Sequence, residues 1–134
     1  MQALRFLPTK VHGILDYLVG VALILAPNIF GFSDVGGAAV NIPRVLGVIL
    51  IVYSLFTNYE WGVWKIIGMY YHLTIDFLAS AFLALSPWLF GFHDQKKAAW
   101  LPHVVVGIVV ILVVIVTQPY PGGAKQPKSD AAAV

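Results

Sequence analysis

The segment VHGILDYLVGVALILAPNIFGF at 11–32 returns sixty residues later as YHLTIDFLASAFLALSPWLFGF at 71–92. Placed without a gap, residues 10–62 and 70–122 form 53 pairs, of which 17 are identical. Self-similarity of this kind marks one supersecondary unit used twice, so the two halves are expected to fold alike. It also singles out polar residues that recur in apolar surroundings: His12 and His72, Asp16 and Asp76, Thr57 and Thr117.

The nature of the unit follows from its apolar content. The chain is 60% hydrophobic and 10% charged, with a mean hydropathy of +0.86, whereas a soluble domain carries about a quarter charged residues. Four runs, near 11–32, 41–58, 69–92 and 99–118, approach the ~20 residues a helix needs to cross a bilayer. None alternates as a strand does, and lipid offers no partners to an unpaired backbone, so helices are expected. The predicted fold is an all-α membrane protein of four transmembrane helices, arranged as two tandem, parallel-oriented two-helix repeats. Each repeat holds two spans, so both enter from the same side and share an axis along the membrane normal. That places His12 and His72 at one depth.

The expected divisions are an N-terminal interfacial segment (1–10), a first repeat (11–62), a second repeat (63–122) and a flexible tail (123–134). The stretch 58–71, rich in Trp and Tyr, leads into the second repeat as an amphipathic segment at the headgroups. Arg5, Lys10, Lys65, Lys125 and Lys128 fall on one side of the membrane, and Arg44, Lys96 and Lys97 on the other. The imbalance predicts that both termini are cytoplasmic. Positive charges before the first run resemble a signal-peptide opening, but the run's internal second copy predicts an uncleaved helix.

A net charge of +2 without a basic stripe gives no reason to expect nucleic acid as a partner. The lipid bilayer is the expected partner, with a homo-oligomer or a membrane complex as the assembly. The absence of Cys excludes disulfides and thiolate chemistry. No phosphate-binding loop, zinc-protease helix or serine-hydrolase elbow occurs, so an enzyme is not expected.

The candidate chemistry lies in His12-x-x-x-Asp16 and His72-x-x-x-Asp76. A spacing of four puts both side chains on one helix face, and ionisable groups inside a membrane are costly unless paired or wetted. Four readings follow. One is interhelical hydrogen bonding supported by Thr57 and Thr117. The others are a bundle-type metal site, a proton or small-solute path, and haem ligation by His12 and His72. No cofactor is the first expectation, with metal or haem at His12 and His72 left open. His93 and His103, which occur in one copy only, are expected in surface or packing roles. Asp34 and Asp94 are expected to close their loop by bonding to backbone.

The remaining shared motif is the late proline followed by Phe-Gly-Phe: Ala26, Pro27, Phe30, Gly31 and Phe32, then Ser86, Pro87, Trp88, Phe90, Gly91 and Phe92. The proline either kinks the helix or hands over to an interfacial turn. Gly31 and Gly91 permit the turn, and Trp88, Phe90 and Phe92 suit the aromatic belt. With the openings VHGILDY and YHLTIDF, these strings resemble the SPW-repeat family of small bacterial integral membrane proteins over about residues 5–120. The resemblance implies a bacterial inner-membrane location and no assigned activity. Ala26 and Asn28 stand where the second copy has Ser86 and Trp88, which implies a structural motif. The expected role is a structural, accessory or oligomer-forming membrane protein. The alternative is a metal-, haem- or proton/small-solute-binding protein.

Overall fold

The computed structural model describes residues 4–123 and contains four helices: α1 (Thr9–Ile29), α2 (Gly37–Leu55), α3 (Met69–Leu89) and α4 (Lys97–Val116). All four are long and apolar enough to span a membrane. At ~1.5 Å per residue their 19 to 21 residues match the ~30 Å hydrocarbon core. The chain is therefore an all-α, multi-pass membrane protein. The tail from residue 124 onward, expected to be flexible, lies outside the described residues.

α1 and α3 run through Pro27 and Pro87 and end two residues later. Phe-Gly-Phe then caps the helix. Gly31 and Gly91 take φ of 70° and 71°. The Phe32 N–H donates to Pro27 O at 2.9 Å, and the Phe92 N–H to Pro87 O at 2.8 Å. This is a Schellman stop, in which a left-handed glycine lets the chain turn back onto the last carbonyls. It explains why the helices stop short of the apolar runs. It also buries Phe32 and Phe92, at 0% and 5% exposure, against His103. Phe92 is thus a packing residue and not part of an aromatic belt; Trp88 and Phe90 stay exposed. A Cβ on Gly31 would meet nothing within 4 Å. Gly31→Ala is therefore expected to lose only the left-handed backbone preference, about 1–2 kcal/mol, in an unfolding titration in detergent.

α1 packs closely on α2, and α3 on α4. The approach depends on absent side chains. A Cβ on Gly47 would stand 2.5 Å from Gly20 O, and one on Gly107 2.6 Å from Ser80 O. Small residues at such crossings let helix backbones touch.

At the opposite end from the Phe-Gly-Phe turns, each hairpin is tied to the other through backbone. The Leu7 N–H donates to Val116 O, and the Gln118 N–H to Leu7 O, both at 2.9 Å. Sixty residues on, the Ile67 N–H donates to Phe56 O at 2.8 Å and the Asn58 N–H to Ile67 O at 2.7 Å.

Between them the linker of residues 56–68 is folded loop. Tyr59 is fully buried, while Trp61, Val63, Trp64 and Ile66 face outward. The Trp61 indole donates to Lys10 O at 2.8 Å, and the Tyr17 hydroxyl to Trp61 O at 2.9 Å. Gly13 leaves the room for this cap, since its Cβ would lie within 3 Å of both Trp61 and Tyr59.

Glu60 accepts from the Thr9 hydroxyl at 2.8 Å and from the Gly122 N–H at 3.0 Å. Burial opposes its ionisation, yet backbone N–H groups, the Thr9 hydroxyl and nearby Lys65 hold its carboxyl below the usual range. At the far end Asp34 bonds to a side chain: the Lys96 ammonium donates to Asp34 Oδ1 at 2.9 Å and to Gly31 O at 2.8 Å. That bond lowers the Asp34 carboxyl from its ordinary value.

Candidate functional site

His12 and Asp16 lie one turn apart on α1, and His72 and Asp76 occupy the same turns of α3. The two faces meet. His12 Nε2 stands 3.1 Å from Asp16 Oδ1 and 3.0 Å from Asp76 Oδ2. His72 Nε2 stands 3.1 Å from both Asp16 Oδ2 and Asp76 Oδ2. One donor atom from each residue can be chosen so that all lie within 4.8 Å of one another, and all four residues are buried. The candidate residues therefore form a single tetrad.

Both imidazoles are oriented from behind by threonine. The Thr117 hydroxyl donates to Val113 O at 2.5 Å, so its lone pairs face His12 Nδ1 at 2.7 Å. The Thr57 hydroxyl donates to Tyr53 O at 2.7 Å and faces His72 Nδ1 at 2.7 Å. A hydroxyl that has given its proton away can only accept, so both Nδ1 atoms carry hydrogen. In the neutral ring Nε2 is then a bare lone pair. Each threonine follows a helix of the other hairpin, so these bonds also join the two halves.

The carboxylates are held by phenols. The Tyr59 hydroxyl donates to Asp16 Oδ2 at 2.8 Å, and the Tyr53 hydroxyl donates to Asp76 Oδ1. Burial, with the Asp16 charge beside it, pushes the Tyr59 phenol far above its ordinary value, so it remains a donor. Neither tyrosine stands out in the sequence comparison, because Tyr53 aligns with Val113 and Tyr59 with Pro119. The available signal was a tyrosine closing the apolar run 45–52, four residues before Thr57.

The inner ring is less settled than its supports. His72 is fully buried, yet its Nε2 is aligned with neither nearby carboxylate oxygen for a hydrogen bond. His12 Nε2 by contrast is bonded to Asp76 Oδ2 at 3.0 Å, and because a carboxylate only accepts, that bond needs a proton on Nε2. Without a proton or a metal ion among them, the Nε2 lone pairs and the carboxylates repel. The same closeness rules out a haem between the rings. Their centroids are 5.5 Å apart at 75°, and the Asp16 and Asp76 oxygens fill the space a macrocycle would need.

The other shared residues lie elsewhere. Ala26, Pro27, Ser86 and Pro87 are buried in the helix ends, ten or eleven residues and ~15–17 Å of helix beyond Asp16 and Asp76. The Ser86 hydroxyl donates to Leu83 O at 2.7 Å. Trp88 stacks on His93 at the surface. They shape the far end of the bundle and take no part in the tetrad.

The family model described as SPW repeat domain matches residues 10–117. No curated protein and no solved structure matches the chain.

Proposed function

This chain belongs to the SPW repeat domain family, and on that premise we propose that it binds one divalent first-row transition-metal ion within the bilayer, through His12, Asp16, His72 and Asp76. The observation that carries the reading is the buried tetrad itself: with both Nδ1 protons committed to threonines, the two Nε2 atoms face two carboxylates and need either a second proton, as the His12–Asp76 bond requires, or a metal ion among them. A divalent ion would relieve their repulsion and balance both carboxylate charges. The His–Asp contacts of 3.0–3.1 Å are close to the ~3.3 Å edge of a tetrahedron built on metal–ligand bonds of ~2.0–2.1 Å. Two imidazoles in four favour the zinc(II) or iron(II) class over calcium or magnesium, which prefer oxygen alone. Threonine behind each imidazole and tyrosine behind each carboxylate match the outer hydrogen bonds that orient metal ligands.

Without the ion, the same groups take up protons and pin the hairpins together, which is the scaffolding role expected from the sequence. The role proposed is binding and not turnover. Arg5, Lys10 and Lys65 flank the tetrad's end of the bundle, which supports placing that end at the cytoplasmic face of a bacterial inner membrane.

Cobalt(II) titration of the full chain in detergent is expected to give one ion per chain with the visible bands of a four-coordinate site. Thr57→Val and Thr117→Val should each weaken binding about 10–100-fold, the usual effect of losing an outer hydrogen bond. Asp16→Asn combined with Asp76→Asn should abolish it. Absence of saturable uptake, or undiminished uptake in that double variant, would overturn the assignment.

A further inference from the structure

At the end of the bundle opposite the tetrad, the two repeats part company on one surface. The first carries Asn28, Asn41 and Arg44; sixty residues on, the same positions hold Trp88, Leu101 and Val104. Asn28 and Asn41 are exposed and Arg44 is half-buried. The Arg44 guanidinium donates to Asn28 Oδ1 at 2.9 Å, and Asn41 lies one turn earlier on the same face of α2. The helices pack alike in both repeats, so packing does not require this polar group in one of them.

The depth of Arg44 is what constrains its partner. It is seven residues into α2, so its backbone lies ~10 Å inside the helix start. A helical side chain leans toward the N-terminus of its helix. The guanidinium therefore climbs back toward the membrane surface and meets Asn28, one residue before α1 ends. Long cationic side chains near helix ends reach the headgroups in this way. Only one of its five N–H donors is taken by Asn28. Among the described residues no carboxylate pairs with it, since Asp34 at the same end is held by Lys96. A guanidinium with spare, forked donors at headgroup depth matches a phosphate. Below it, Val45, Val48 and Val52 continue the exposed face of α2 from Asn41 as an apolar stripe along the helix.

We propose that Asn28, Asn41 and Arg44 form a binding site for one anionic phospholipid, its phosphate on the Arg44 guanidinium and one acyl chain along Val45, Val48 and Val52. A free phosphate ion offers the same acceptor oxygens. It would have to leave water to reach a cation flanked by exposed Ile29, Phe30 and Val45, whereas a lipid phosphate already lies at that depth. The site shares no residue with the tetrad, so it goes beyond the metal reading and does not depend on it.

The test is native mass spectrometry of the full chain in detergent, titrated with phosphatidylglycerol. One lipid is expected to stay bound to the parent, with phosphatidylcholine of the same chains held about fivefold more weakly for want of the net charge. Arg44→Gln should weaken phosphatidylglycerol binding about tenfold, the loss of a hydrogen bond to a charged group. Lys97→Gln, at the same end on the other hairpin, should leave it unchanged, and excess inorganic phosphate should not displace the lipid. Trp88→Asn with Val104→Arg moves the pair to the second repeat and should raise the bound lipid from one to two; it decides the matter if Arg44→Gln does not elute as a folded species. Undiminished binding in folded Arg44→Gln, an equal loss in Lys97→Gln, equal retention of phosphatidylcholine, displacement by inorganic phosphate, or no second lipid on the folded double variant would overturn the proposal.

Discussion

Asp76→Leu is expected to destabilise the bundle by roughly 3–5 kcal/mol, the cost of removing one partner from a buried ionic cluster. Asp76 is almost wholly buried and faces both histidines through one oxygen. Its other oxygen receives the Tyr53 hydroxyl. Its loss leaves His12, His72 and Tyr53 short of a partner at once, in a place where water cannot substitute. The converse experiment separates this mechanism from simple loss of attraction. Replacing all four of His12, Asp16, His72 and Asp76 by leucine removes the charges together, and such replacements of buried ion clusters are often neutral or stabilising. Reversible unfolding in mixed micelles measures both. A single variant as stable as the parent, or a quadruple variant weaker than the single one, would show that the tetrad's energetics are not those of a buried charge cluster.

The second large effect is expected at the helix crossings. Gly47→Leu should cost about 3 kcal/mol, at the upper end of overpacking penalties, because the obstruction is backbone. The first carbon alone would stand 2.5 Å from Gly20 O and 3.1 Å from Ile24 N, and a helix cannot rotate a carbonyl out of the way. Gly107→Leu meets Ser80 O and Ala84 in the same manner and should lose a similar amount. Because the first hairpin carries Asp16 and the linker carries Tyr59, spreading α1 from α2 should also disturb the tetrad. Loss of stability without any loss of cobalt uptake would show that the hairpin crossing and the tetrad are uncoupled.

Much of this architecture is legible in the sequence because lipid removes alternatives. A run of ~20 apolar residues in a bilayer has few options besides a helix, so the four helices follow from composition alone. His12, Asp16, His72 and Asp76 are legible because they recur as polar residues in apolar surroundings, and Thr57 and Thr117 for the same reason. Comparing the two halves also hides what occurs once. Tyr53 and Tyr59 each satisfy one carboxylate, but from unrelated positions, since a carboxylate oxygen accepts a phenol from any element that reaches it. Tyr59 lies in a loop whose burial depends on the gap at Gly13, a tertiary fact with no local signature. Phe92 looks like an interfacial aromatic until the left-handed glycine before it turns its ring back onto His103.

The backbone bonds at residues 57–67 and at 117 and 7 have a further consequence. The first seam is crossed by a peptide linker and the second is not, yet matching donors and acceptors close both. In topological terms the bundle is a ring of two hairpins that happens to be open at one of two equivalent joints. Which hairpin comes first in the chain is then a matter of where the ring is cut and not of how it packs.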